Sequence, residues 1–225
     1  MLRVFNFAAR HPGRKVKYSN ISPDDQSATI RRDIDLLEMA RVIARVNHSQ
    51  CTGLPLQADV NEKVFKLIFL DVGLMNAVSG LGWQTLASQT PVQLINAGAA
   101  AEQFVGQHLQ YLLAERPNRE LTYWLREGRS NNAEVDYVAE FGGRIVPIEV
   151  KAGRAGTLKS LHQFVFEKRV PFAIRFHADL PELQTVDTEV RRGRGTERVR
   201  YRLLSLPLYL VERLPRIVDG LSARV

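Results

Sequence analysis

Ala133-Glu134-Val135-Asp136-Tyr137-Val138-Ala139-Glu140-Phe141, then Gly142-Gly143, then Arg144-Ile145-Val146-Pro147-Ile148-Glu149-Val150-Lys151 is the stretch that decides the fold. Both flanks alternate and are rich in β-branched or aromatic residues. The glycine pair between them is a two-residue turn signal, so the stretch predicts a β-hairpin. With the glycines as the turn, Asp136 falls opposite Glu149, and alternation puts Lys151 on the same face as Glu149. Counting back from the turn makes Asp136 and Glu149 a non-hydrogen-bonded pair, the kind whose side chains come closest. Two carboxylates about 5 Å apart at an effective dielectric of about 20 repel by on the order of 3 kcal/mol. A hard divalent cation would turn that cost into a binding site. The bland alternative is a solvated face on which Glu134 and Lys151 form a cross-strand ion pair.

Upstream, residues 97–115 predict a helix whose apolar face carries Ala101, Val105, Leu109 and Leu112. Glu102 points along that inward face, where an acid is costly unless it is paired or coordinated. The alternative for Glu102 is a place at a helix N-terminus, where the dipole favours it. Residues 121–126 predict a strand and 127–132 a loop. After Lys151, residues 153–156 predict a turn and 157–168 a helix with Leu158, Leu161, Phe164 and Val165 inward. Residues 172–176 and 201–206 read as strands, 191–198 as a mobile basic loop, and 211–221 as a closing helix entered past Pro207.

Residues 1–80 predict a compact helical unit closed by a β-hairpin. Ser22-Pro23-Asp24-Asp25 reads as a helix start, with Ser as N-cap and Pro at the first helical position. Ile30, Ile34, Leu37 and Ala40 follow at helical spacing. Helices near 2–10 and 18–21 precede this one, which suggests a helix-turn-helix. Residues 42–47 and 63–70 would be the strands of a wing, and 81–96 a linker. A winged helix docking on DNA would bring Arg14, Lys15, Lys17, Arg31 and Arg32 near phosphates. The alternative is a winged helix used for protein contacts, because no base-reading pattern is visible.

The net charge of +7 and pI near 9.8 favour an anionic partner, most simply nucleic acid. A single cysteine, Cys51, excludes an internal disulfide and points to a reducing, cytoplasmic compartment. No apolar run reaches membrane-spanning length, and the apolar part of the first ten residues is too short for a secretory signal. The five histidines have no zinc spacing. Gly153 to Ser160 comes near a phosphate-binding loop, but Leu158 stands where the second glycine should be, and its Cβ obstructs the cradle. Cys51 reads as a surface or half-buried thiol, and Trp83 and Trp124 as packing residues.

Asp136, then Glu149-Val150-Lys151, with Glu102 on a preceding helix, resembles the PD-(D/E)XK nuclease superfamily. The resemblance implies that Glu102, Asp136 and Glu149 bind metal, that Lys151 is the catalytic lysine, and that the cofactor is Mg2+ or Mn2+. Val135 stands where that superfamily often has proline. A wider likeness covers most of the chain. Residues 64–74 (VFKLIFLDVGL), with Ala101-Glu102-Gln103-Phe104-Val105, Tyr123-Trp124 and Glu134-Val135-Asp136-Tyr137, look like a widespread prokaryotic AAA-type ATPase family. In that family an ATPase module precedes a winged helix and a nuclease-like domain. No phosphate-binding loop occurs in these residues, so the chain resembles the C-terminal part of such a protein.

The resulting expectation is an α/β (α+β) protein. A winged helix over 1–85 precedes a restriction-endonuclease-like mixed sheet flanked by helices over 92–225. The expected activity is metal-dependent hydrolysis of DNA phosphodiesters. One rival is a non-catalytic DNA- or protein-binding module that serves an AAA-type ATPase. A weaker one is a regulatory or toxin–antitoxin component whose partner covers the Asp136 face.

Overall fold

The computed structural model describes residues 1–82, 97–114, 120–127, 132–153, 156–193 and 195–222. The expected linker, apart from residues 81 and 82, and Trp83 lie outside these residues.

The N-terminal helices are α1 (Leu2–Arg10), α2 (Tyr18–Ile21) and α3 (Ser27–Met39). The apolar stripe of α3 buries Ile30, Ile34 and Leu37, while Ala40 follows the helix and is exposed. These side chains meet Val4 and Ala8 of α1 and Phe65, Leu67 and Phe69 of a strand in one apolar cluster. The helix expected from Ser22 starts later, at Ser27. Ser22 Oγ accepts from Arg3 Nη1 at 3.0 Å instead of capping a helix amide, and Asp25 accepts from the same guanidinium.

Strands β1 (Ile43–Ser49) and β2 (Val60–Phe69) pair antiparallel where the wing was expected. They do not stand apart as a ribbon. β1 also pairs in parallel with β3 (Thr122–Arg126), at Asn47 with Thr122 and His48 with Tyr123. With β4 (Ala133–Phe141), β5 (Arg144–Val150), β6 (Phe172–His177), β7 (Glu182–Arg192) and β8 (Gly195–Pro207) they form one mixed sheet. Its eight strands run in the order β2-β1-β3-β4-β5-β6-β8-β7. Helix α4 (Val72–Val78) follows β2, and α5 (Ala97–Ala114) precedes β3.

Helices cover both faces of the sheet. On one side Ala101, Val105, Leu109 and Leu113 of α5 pack on Tyr137, Ala139, Ile148 and Ile174. A 3-10 turn (Leu208–Arg213) and α7 (Leu214–Ser222) complete that layer. Leu113 rather than the expected Leu112 continues the stripe. On the other side Leu161, Phe164 and Val165 of α6 (Lys159–Lys168) pack on Trp124, Val135 and Val138. Trp124 meets Phe164 edge-on at 5.2 Å between ring centres, which makes it the packing residue expected.

Residues 191–193 and 195–198 are not the expected loop. β7 and β8 pair as far as Arg192 with Gly195, and Gly193 turns between them at φ +60°. The pattern from Glu182 to Arg192 alternates, but its inward side holds only Gln184, Val186, Thr188 and Val190, too polar a set to read as strand. β8 pairs with β6 only from Arg202 onward, so the distal hairpin runs past the sheet. Val190 and Val199 there join the α6-side cluster, which shows that the hairpin curls over that helix.

Gly106 is where α5 comes closest to the sheet. Alanine is ordinarily favoured over glycine inside a helix by about 1 kcal/mol. Here a Cβ would overlap the Tyr137 hydroxyl and lie 2.7 Å from Tyr137 Cζ. That hydroxyl is held by donating to the Glu102 carbonyl at 2.9 Å. Overpacking of a filled core costs typically about 1–3 kcal/mol, so we expect Gly106→Ala to destabilise the fold by roughly that amount in urea titration. An unchanged or higher midpoint would show that the Tyr137 ring yields freely.

Candidate functional site

The β4–β5 hairpin has the expected register, with Phe141 paired to Arg144 and Tyr137 to Ile148. Gly142 and Gly143 both have positive φ (57° and 72°), as a primed two-residue turn requires. The paired ladder ends at Tyr137 with Ile148. Beyond it the Asp136 carboxylate, not its backbone, takes the next amide: Val150 N–H donates to Asp136 Oδ2 at 2.8 Å.

The cause is a bulge. Thr122 and Trp124 of β3 face Val138 and Val135 of β4, so two steps on one strand match three on the other. The extra residue lets consecutive side chains, Asp136 and Tyr137, both turn toward α5. Tyr137 lies in the α5-side core, and Asp136 approaches a lysine rooted on that same face. Ile148 and Val150 also belong to that core, so Glu149 alternates away from it, and the expected close pairing of Asp136 with Glu149 on one face is lost to the bulge. Glu149 is buried, and its Oε1 accepts from Lys151 Nζ at 2.6 Å. The alternative pairing of Glu134 with Lys151 therefore does not form.

The lysine is Lys66 of β2, and the sequence reading assigned it no role. Its side chain is fully buried (0% exposed). Nζ donates to Glu102 Oε1 at 2.8 Å, and lies 2.6 Å from Glu134 Oε1 and 4.0 Å from Asp136 Oδ1. The rings of Tyr123 and Tyr137 stand 5.1 and 5.9 Å from the ammonium. Along β2, Ile68 is in the α5-side core and Val64 packs against it, whereas Phe65, Leu67 and Phe69 face α1 and α3. That alternation was legible in residues 64–69, and it puts Lys66 inside.

Glu102 does lie on the inward face of α5, as expected, but it is paired with Lys66. Among the described residues no three side chains of metal-binding type are gathered as a ready coordination set. The charge balance is nevertheless incomplete. Among the described residues, Glu102, Glu134, Asp136 and Glu149 form their ion pairs with two ammonium groups, those of Lys66 and Lys151. With all four acids ionised these described groups carry a formal deficit of two charges. Glu149 Oε2 is buried and has no hydrogen-bond partner. Carboxylate oxygens are the donors a hard divalent cation takes, but these acids are divided between the two faces of the sheet and are not gathered around one point.

Without such an ion, protons make up the difference. Burial, and then the Asp136 charge, push the Glu149 carboxyl up to about 8, against the pull of Lys151. Burial raises Glu102 to about 7 despite Lys66 beside it, and raises Asp136 as well. Burial works against both lysine charges. Even so, Glu102 and Glu134 hold Lys66 well above its ordinary value, and Glu149 keeps Lys151 raised.

Of the expected phosphate contacts, Arg14, Lys17, Arg31 and Arg32 are exposed. Arg31 pairs with Glu62 at 3.2 Å, and Lys15 pairs with Glu127. Arg154 and Ala155 of the near phosphate-binding loop lie outside the described residues. Gly156 lies so close to Lys151 that a Cβ there would stand 2.8 Å from its Cδ. Cys51 is buried, not half-exposed, and burial pushes its thiol up to about 11. Among the described residues no helix is long and apolar enough to cross a membrane.

Family models cover most of the chain in two stretches. Residues 97–190 match a domain of unknown function (DUF4143). Residues 1–85 match a second domain of unknown function (DUF8612). Neither the curated proteins nor the solved structures yield a match. Lys66 belongs to the stretch 1–85, and Glu102, Glu134, Asp136 and Glu149 belong to the DUF4143 stretch. The ion cluster therefore ties the two together, as the shared sheet does.

Two outcomes test this electrostatic picture. Removing one partner of a buried ion pair costs about 3–5 kcal/mol. Lys66→Met should therefore destabilise strongly, and Glu102→Gln added to it should recover part of the loss in denaturant melts; strictly additive losses would refute the pairing. The second outcome is a pH dependence. A carboxyl raised in the fold is more protonated there than in the unfolded chain, so stability falls as pH climbs toward the folded value. Burial lowers His48, His162 and His177 below 6.5, which acts in the opposite sense, but only below that pH. In chelator, thermal stability should thus fall between pH 7 and 8 as Glu149 ionises, and Glu149→Gln should flatten the slope.

Proposed function

We propose that this protein binds DNA and hydrolyses its phosphodiester bonds with Mg2+ or Mn2+, as a restriction-endonuclease-like PD-(D/E)XK fold fronted by a winged-helix unit. The observation that carries this reading is the charge-deficient cluster at one end of the hairpin. Glu149 supplies an orphaned carboxylate oxygen with Lys151 on its other one, and Asp136 adds an oxygen 4.0 Å from Lys66.

Asp136 and Glu149 would hold the metal, and Glu102 would act through Lys66. When bound, the ion lowers the pKa of a water and stabilises the charge that develops on the leaving oxygen. Lys151, whose charge Glu149 favours, would offset phosphate charge.

A polyanion also has somewhere to lie. A cleft of about 710 Å3 between α6 and the tip of the β7–β8 hairpin is lined by Arg126, Arg169, Arg191 and Arg192. A neighbouring cleft of about 430 Å3 adds Lys159 and reaches Ala133, the residue before Glu134. Arg126 pairs with Glu167 and Arg192 with Glu197, so part of this basic lining is already held in place. Arg14, Lys17 and Arg32 offer further phosphate contacts on the N-terminal unit.

A second reading has an observation of its own. Lys66 already pairs with Glu102 and Glu134, as it would in a nuclease-like fold kept for its shape. In that reading the protein is a DNA- or protein-binding module serving an AAA-type ATPase. Incubation with linear and branched DNA, in Mg2+ or in chelator, separates the two. Metal-dependent cleavage that falls at least a hundredfold in Asp136→Ala supports the enzyme. DNA binding without cleavage or any metal response supports the module.

A further inference from the structure

At the turn end of the β4–β5 hairpin, where the acidic cluster does not reach, the protein holds a cavity of about 130 Å3. Phe141, Val146, Phe172, Val218 and Leu221 give it apolar walls. Phe141, Val146 and Val218 are buried members of the α5-side core, and Phe172 and Leu221 pack against that core. An apolar cavity of about 150 Å3 stays dry and accepts benzene, so this slot has room for roughly one ring-sized group.

Two arginines share the lining, Arg144 and Arg202. Alternation puts both on the α5 side of the sheet, because Val146 and Leu204, two residues further on, are in that core. Arg202 lies beside Phe172 in the parallel register, and its amide donates to the Pro171 carbonyl at 2.9 Å. Its side chain is half-buried, and Arg144 is exposed. Among the described residues neither side chain makes an ion pair. Arg198, nearer the tip of the same β7–β8 hairpin, instead takes both oxygens of Asp187 at 2.6 Å. No acid lines the slot among the described residues. Two uncommitted positive charges thus border an apolar space that is small and already formed.

We propose that this slot binds a small apolar carboxylate, with one aromatic ring among Phe141, Phe172 and Val218 and its carboxylate accepting from Arg144 and Arg202. Burial of the ring supplies the driving force. Charge-assisted hydrogen bonds, roughly twice as strong as neutral ones, fix the head group. A planar carboxylate matches the guanidinium fork, and as a single charge it is cheaper to bring against apolar walls than a doubly charged head group. Arg144 and Glu149 are the first and sixth residues of β5, about 17 Å apart along the strand. The slot is therefore a separate site, and neither metal binding nor DNA cleavage enters its argument.

The test uses the full chain and 4-fluorophenylacetate, followed by fluorine NMR and by titration calorimetry. One ligand per chain is expected. Phenylacetamide keeps the ring and loses the charge, and acetate keeps the charge and loses the ring; each should bind at least tenfold more weakly. Arg144→Gln and Arg202→Gln should each weaken the acid at least fivefold and leave the affinity for the amide unchanged, a split that mere damage to the pocket would not give. Leu221→Trp fills the slot from the end of α7 and should abolish binding in a chain that still unfolds cooperatively. A dipeptide ending in phenylalanine offers the same ring and carboxylate from a chain end, and the tighter of the two ligands names the source. No binding of either at millimolar concentration would overturn the proposal. Equal affinity for acid and amide, or binding that survives both glutamine variants or the folded Leu221→Trp chain, would overturn it as well.

Discussion

A buried ammonium governs how this protein is assembled. An isolated charge in a low-dielectric interior costs several kcal/mol even after relaxation, so Lys66 survives there only with carboxylates around it. Glu102 and Glu134 meet that need from a helix and from a strand on the far side of β1 and β3. The dependence runs both ways. The acids would be untenable without the lysine, and the lysine comes from a different sequence segment. α5 must therefore lie over β1–β4 with its first turns above β2, which is what the packing of Ala101 and Val105 on Ala44, Val46 and Ile68 shows.

The same constraint explains the irregularity in β4. A regular strand would pair Asp136 through its backbone and turn Tyr137 away from α5. The bulge opposite Thr122 and Trp124 instead turns both residues toward the helix. Asp136 can then take the Val150 amide, while Tyr137 anchors the helix through the Glu102 carbonyl. Gly106 follows from this arrangement, since only a residue without a Cβ lets the helix settle onto that ring. Bulges are over-represented near functional sites because they re-aim side chains in this way.

Much of this was legible in the chain. The hairpin register followed from Gly142-Gly143 and the alternation around it. The inward position of Glu102 followed from helical spacing, and the α6 core from Leu161, Phe164 and Val165. Three features were not. The bulge has no mark in Ala133 to Tyr137, because it depends on which β3 residues lie opposite. β7 escaped because tertiary contact, not its own polar alternation, makes it a strand: its inward residues pack on α6 only when the hairpin curls over. Lys66 escaped for a different reason. Its pattern was readable, but a lysine in an apolar run is usually taken to turn its head to water. Only the meeting of Glu102, Glu134 and Asp136 in space reverses that expectation.

The unit expected to be a separate wing instead supplies β1 and β2 to the common sheet, and with them the only buried lysine among the described residues. An internal cation that arrives with a neighbouring segment makes the acidic cluster depend on how that segment is seated. Were β2 displaced, Glu102 and Glu134 would lose their partner and the formal deficit of the cluster would grow by one charge. Such a cluster would draw protons more strongly, because more carboxylates would lie buried without a cation beside them. The seating of the N-terminal helices on β2, through Val4, Ile30, Ile34 and Phe65, therefore bears on the electrostatics of the acidic cluster and not only on the stability of the fold.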